Sequence, residues 1–142
     1  MFRQLTDRIW AAPQITLDDV AVAAAQGITL IINNRPEGES EDQTPGEAIE
    51  SAATAAGIAY IAIPITHAGF SQPQVAAMVE ALKHEGKVLA YCRSGTRSTL
   101  LWSLAQASLG ADLDIVTRQA LAAGYDVSPV RPLMDMLAGQ AS

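Results

Sequence analysis

The stretch KVLAYCRSGTRSTLLWSLAQASLG, residues 87–110, decides how the whole chain is read. Lys87 to Tyr91 is a short apolar run of the kind that forms a buried strand. From Thr99 to about Leu109 the pattern is helical, and Gly110 supplies the stop. Between them lie Cys92, Arg93, Ser94, Gly95, Thr96, Arg97 and Ser98. A turn from strand into helix points successive backbone N–H groups into one concavity at the positive end of the helix dipole, and such a concavity suits an anion. Gly95 lets the backbone close tightly round it. Arg97 adds a planar fork that matches a tetrahedral oxyanion, and Arg93, Ser94 and Thr96 complete the rim.

A cysteine at the edge of such a cradle gains a second meaning. Helix N-termini and arginines favour the thiolate over the thiol, so the field that holds an oxyanion also activates the sulfur. That sulfur faces the central atom of the bound anion, in line for attack. Ser98 can donate a hydrogen bond to it and ease its departure in a second step. The plainer alternative is a buried structural cysteine, with Arg93 and Arg97 as solvated charge. A glycine, two arginines and three hydroxyls within the seven residues 92–98, at a strand-to-helix junction, favour the chemical reading.

Working outward, helices and strands alternate. Thr16, Leu17, Asp18 and Asp19 offer an N-cap hydroxyl followed by acids, and that helix closes at Gly27. Residues 29–32 (TLII) read as a short buried strand. Thr44, Pro45, Gly46 and Glu47 read as a capping box with proline at the first helical position, opening a helix that stops at Gly57. Residues 58–63 form the next strand. Ser71 to Gln74 opens a helix whose apolar face is Val75, Met78, Val79 and Leu82, ended by Gly86. Two more helices are expected over 112–123 and 129–138, and a weak first strand near 9–11.

This alternation predicts an α/β fold in three layers: a mainly parallel sheet of four or five strands with helices on both faces, in one domain over residues 1–142. In such sheets ligands bind beyond the carboxyl ends of the strands. Three loops leave that edge, at 33–43, 64–70 and 92–97, so their residues are expected to meet.

Composition narrows the function classes. Of 142 residues, 49% are hydrophobic and 17% charged, which excludes a disordered chain. Nine basic against fifteen acidic residues give a net charge of −6, a balance that opposes nucleic-acid binding and docking on anionic membranes. With one cysteine and two histidines, neither an internal disulfide nor a Cys/His zinc site is expected, and no metal or cofactor is assigned. No apolar run is long enough to span a bilayer, and MFRQLTDRIW lacks a signal-peptide core, so a cytoplasmic protein is expected.

The segments at residues 32–39 (INNRPEGE), 63–66 (IPIT) and 91–98 (YCRSGTRS) together resemble the phosphatase-like domain of the bacterial beta-lactamase hydrolase-like family, which has a dual-specificity-phosphatase fold. The cysteine loop by itself is also similar to that of rhodanese-type sulfurtransferases. The resemblance implies a protein-tyrosine-phosphatase-like architecture and a thiolate enzyme acting on a small oxyanion or on sulfane sulfur. It also implies a functional link to sulfide metabolism, since the family includes fusions to a metallo-beta-lactamase-like domain.

Against that pattern the chain departs in three ways. Phosphatases of this fold place five residues between cysteine and arginine; here there are four, Arg93 to Thr96. They tend to have histidine before the cysteine, where this chain has Tyr91. They use an aspartate as general acid, and no aspartate lies between Asp42 and Asp112. His67, on the 64–70 loop, is the best substitute by position, because imidazole titrates in the neutral range; the alternative is an ordinary polar loop residue. Arg35 either contacts the second end of a substrate, braces the cysteine loop, or simply pairs with Glu37 or Glu39 in a turn. Residues 37–42 otherwise read as a solvated acidic loop.

The expected function is therefore a phosphatase-like hydrolase with Cys92 as nucleophile and a phosphocysteine intermediate. In this reading Arg97, Ser98 and His67 assist catalysis, while Arg93, Ser94, Gly95, Thr96 and Arg35 bind the substrate. The alternatives are a sulfurtransferase carrying sulfane sulfur as a Cys92 persulfide, and a non-catalytic anion-binding module. The expected partner is a small anionic substrate, a phosphate ester or a sulfane-sulfur donor.

Overall fold

A computed structural model describes residues 1–141. The strands are β1 (Arg3–Gln4), β2 (Ile9–Ala12), β3 (Ile28–Asn33), β4 (Ala59–Ala62) and β5 (Lys87–Tyr91). The helices are α1 (Leu17–Ala25), α2 (Gly46–Ala55), α3 (Gln72–Ala81), α4 (Thr96–Ser108), α5 (Leu113–Ala122) and α6 (Arg131–Ala141), with a 3-10 turn at Ser128–Val130. One five-stranded sheet runs in the order β1-β2-β5-β3-β4. Pairings β2–β5, β5–β3 and β3–β4 are parallel, and only β1 runs antiparallel, against β2. The α/β fold with a mainly parallel sheet is thus present with five strands. β1 had no counterpart in the sequence pattern, because its two residues are exposed and carry no periodicity.

The side-chain alternation of the strands builds two cores. Val88 and Ala90 of β5, with Leu30 and Ile32 of β3, face α3, α4, α5 and α6. Leu89 and Tyr91, with Ile28 and Ile31, face α1 and α2. A sheet covered on both faces has continuously apolar strands, and burying each large aliphatic side chain contributes roughly 1.5–3 kcal/mol. Helix α4 is enclosed most completely. Ser98, Thr99, Leu101, Trp102, Ser103, Leu104, Ala105 and Ala107 are all buried, so its N-terminus is planted firmly beside the strand ends.

Helix starts show where local signals sufficed. Ser71 accepts from the Gln74 N–H while Gln74 reaches back to the Ser71 N–H, so the box opening α3 forms as read, and Thr16 with Asp19 makes the same pair for α1. The expected box at Thr44 does not form. Pro45 occupies the cap position without a side-chain bond; instead Glu37, from the preceding loop, accepts the Gly46 N–H at 2.8 Å. α4 begins at Thr96, three residues before the expected start, because Gly95 at φ 95° turns the chain and its carbonyl receives both the N–H and the hydroxyl of Thr99. The last helix begins at Arg131 after the 3-10 turn. No helix among the described residues is long and apolar enough to cross a membrane.

Candidate active site

Because β5 and β3 are parallel neighbours, their carboxyl ends deliver Cys92 and Asn34 side by side. The Asn34 N–H extends the ladder to the Tyr91 carbonyl at 2.8 Å, and the Ile65 N–H bonds the Asn34 carbonyl at 2.9 Å. The Asn34 side chain is wholly buried. Its amide donates to the Ile63 carbonyl at 2.9 Å and its oxygen accepts the Ser98 hydroxyl at 2.7 Å. One asparagine therefore stitches the ends of β3, β4 and the first turn of α4. The three loops expected at this edge do converge.

Cys92 sits at the floor of the convergence. Its side chain is fully buried. The sulfur accepts the Gly95 N–H at 3.1 Å and lies within reach of the Arg97 guanidinium. Above it, α4 opens with first-turn N–H groups that have no acceptor within the helix, the ordinary condition of a helix N-terminus. Arg93, Ser94 and Thr96 are exposed at the rim. The Ser94 hydroxyl donates to Thr96 Oγ1 at 3.0 Å and accepts the Thr96 N–H at 3.3 Å, shaping the turn.

Arg97 is held by contacts that account for three of its five protons. Nη1 donates to Glu39 Oε2 at 2.7 Å and to the Ile65 carbonyl at 2.8 Å, and Nη2 donates to Glu39 Oε1 at 2.8 Å. The end-on fork is spent on Glu39, and among the described residues no oxygen takes up the side edge formed by Nε and the outer Nη2 proton. That edge is a bidentate match for an oxyanion. Glu39 also accepts from Arg35 Nε at 2.9 Å. Shared between two guanidinia, and above all through its bonds to Arg97, the Glu39 carboxyl is pulled down from 4.5 to about 2. The same bonds hold Arg97 above the ordinary arginine value, with Cys92 adding to the effect.

The acidic loop is thus not simply solvated. Glu37 caps α2 and Glu39 is a half-buried counter-charge, while Glu41 and Asp42 are exposed. Arg35 is tied into its own loop and to Gln14: its side chain is 4% exposed, and its three nitrogens bond Glu39, Gln14 and Ser40. Gln14 also donates its N–H to the Arg93 carbonyl at 3.1 Å, tying Arg35 indirectly to the cysteine loop. Ser98 differs from expectation too: its single hydroxyl proton goes to Asn34, not to the sulfur. His67 stands exposed on the 64–70 loop, two residues beyond the carbonyl that receives Arg97.

Sequence reasoning left out two residues of this constellation and one pairing. Glu39 was named as a partner of Arg35 but not of Arg97, and Gln14 carried no signal. Tyr125 lies far along the chain, yet its hydroxyl donates to the Ser94 carbonyl at 3.1 Å. Spacing alone gave no means of finding it.

The family model described as beta-lactamase hydrolase-like protein, phosphatase-like domain, matches residues 1–109. The chain is 33% identical over 103 residues to the beta-lactamase hydrolase-like protein of Xylella fastidiosa, covering 72% of this chain and 24% of that protein. It therefore spans about a quarter of the length of the curated relatives it matches. A solved structure of a candidate phosphatase from Neisseria meningitidis is 33% identical, with a TM-score of 0.83 over 95% of this chain and 96% of that one. The fold recurs in protein tyrosine phosphatases. It recurs also in Pseudomonas aeruginosa TpbA, solved in complex with phosphotyrosine, at 14% identity and a TM-score of 0.70 over 99% of this chain and 89% of that one. With its cysteine loop, parallel sheet and this match over most of its length, the chain belongs to the beta-lactamase hydrolase-like family, through the phosphatase-like domain.

Proposed function

We propose that the chain is a cysteine-dependent phosphatase in which Cys92 takes a phosphoryl group from a small phosphoester. The carrying observation is the geometry at the sulfur: a backbone N–H donated from Gly95 at 3.1 Å, and beside it an arginine whose oxyanion-binding edge is left open by its other contacts. The Cys92 thiolate attacks phosphorus. A sulfur–phosphorus bond forms while the bond to the leaving oxygen breaks, and that oxygen takes up a proton. Water then attacks the phosphocysteine, releasing phosphate and restoring the thiolate. The N–H groups at the start of α4 and the free edge of Arg97 stabilise the charge on the transferring group. His67 is the candidate proton donor. Aryl phosphates are the substrate class to try first, because a phenolate leaves with little help from an acid; TpbA's phosphotyrosine ligand belongs to that class.

Incubation with p-nitrophenyl phosphate followed by acid quench and peptide mass spectrometry tests this reading. We expect one phosphoryl mass on the peptide carrying Cys92, and no turnover by Cys92→Ser. Turnover that survives Cys92→Ser refutes the nucleophile. A second reading is favoured by the short loop, with four residues between Cys92 and Arg97: attack on the outer sulfur of thiosulfate, departure of sulfite, and a Cys92 persulfide. The same experiment with thiosulfate would then add the mass of one sulfur. Phosphate binding without either adduct marks an anion-binding module.

A further inference from the structure

We propose that Tyr125 is a positioning residue of the cysteine loop, holding the Ser94–Gly95 peptide so that the Gly95 N–H stays aimed at the Cys92 sulfur. The inference rests on the proposed role of Cys92. Tyr125 follows α5 and lies outside residues 1–109, the part matched by the family model. It is 7% exposed. Its N–H bonds the Ala120 carbonyl at 2.9 Å, and the Arg3 guanidinium lies 5.5 Å from the centre of its ring. Arg3 in turn donates to the Ala123 carbonyl at 3.0 Å. The phenol is therefore fixed from both ends of the chain.

Its hydroxyl donates to the Ser94 carbonyl at 3.1 Å. That carbonyl and the Gly95 N–H belong to one peptide group, which is trans like every other among the described residues. In a trans peptide the two point in opposite directions. Tyr125 thus grips one end of a rigid plate whose other end donates to Cys92 Sγ at 3.1 Å. The phenolic bond also polarises the peptide, which strengthens the N–H as a donor. The next peptide is fixed separately, since the Gly95 carbonyl receives Thr99. Among the described residues no other side chain grips the Ser94 carbonyl. A glycine at position 95 gives little resistance to rotation of the preceding peptide, so that restraint falls to Tyr125.

Gly95 is required for two reasons. Its φ of 95° is a conformation that side chains disfavour, and a Cβ there would collide with the Tyr125 hydroxyl. The phenol occupies the space that the missing side chain leaves. The charged and titratable groups around the sulfur are Arg97 from α4, backed by Glu39 from the loop after β3, and Tyr125 itself, backed by Arg3 of β1.

The test is Tyr125→Phe in the full chain, which removes one oxygen and keeps the ring. Cys92 alkylation by iodoacetamide is followed across pH, alongside thermal melting and p-nitrophenyl phosphate kinetics. We expect the midpoint of the alkylation profile to move to higher pH and kcat to fall about tenfold, the loss of one hydrogen bond to a charged system. An unchanged alkylation midpoint overturns the proposal, whatever happens to the melting temperature. Alkylation does not depend on phosphatase chemistry, so it still decides the role of Tyr125 if Cys92→Ser leaves turnover intact. If Tyr125→Phe does not fold, hydrogen exchange of the Gly95 amide in the unaltered chain replaces it: slow exchange supports the clamp, and exchange at the rate of an open loop overturns it.

Discussion

Two loops leave neighbouring strand ends and meet over one sulfur, and they differ in how their residues come to matter. Residues 92–97 are arranged by their backbone: a positive φ at Gly95 and a helix N-terminus set the buried Cys92 thiol and the Arg97 guanidinium. Residues 33–43 act through side chains whose partners lie elsewhere. Three glutamates two positions apart in that second loop have three fates. Glu37 caps α2, Glu39 pairs with Arg35 and Arg97, and Glu41 is exposed. A backbone-built site is visible in local pattern, whereas a side-chain-built brace is visible only with its partner in place.

Cys92→Ser should have the largest effect, complete loss of p-nitrophenyl phosphate turnover with the fold retained, read by steady-state assay and circular dichroism. Glu39→Gln should come next. It leaves one buried and one partly buried guanidinium without their shared counter-charge, so we expect loss of about 3 kcal/mol of stability and roughly a hundredfold fall in kcat/KM as Arg97 loses its alignment. Denaturant melts and kinetics on the same preparation check both, and wild-type kinetics would show that the acidic loop does not support the cysteine loop.

The charge of Glu39 gives a pH test of the same brace. Its carboxyl is pulled from 4.5 to about 2 on folding. Its contribution is therefore complete above about pH 4.5 and is lost as pH falls toward 2. Melting temperature should drop over that window in the natural chain and drop less in Glu39→Gln. Equal slopes in the two would remove the brace from the account.

Smaller effects separate the remaining glutamates. Glu37→Ala should cost about 1 kcal/mol, the usual value of a lost helix cap, seen in melting with little change in kcat. Glu41→Gln should fall within about 0.5 kcal/mol of the natural chain. A Glu41 effect as large as that of Glu39 would erase the distinction drawn within the loop.

How much could be read beforehand follows from the same contrast. The capping pairs at Thr16 and Ser71 were legible because donor and acceptor lie three residues apart. The Thr44 box was a plausible local pattern that lost to Glu37, an acceptor nine residues before Gly46. Ser98 was placed beside the sulfur by proximity in sequence, but its one proton found the buried Asn34 oxygen. Arg35 carried three competing readings, and its four-per-cent exposure and its bond to Gln14 were beyond the reach of spacing.

Apolar strands alternating with capped helices were enough to specify a parallel sheet between two helical layers, because hydrophobic period and turn chemistry are properties of neighbouring residues. The Cys92–Arg97 loop was legible on the same ground. Which glutamate would neutralise Arg97, and which distant phenol would grip the Ser94 carbonyl, was decided by the packing of β3, α4 and the segment after α5. Charge and hydrogen-bond partners are chosen by distance in space, and for these groups that distance exists only once the sheet and its helices have closed.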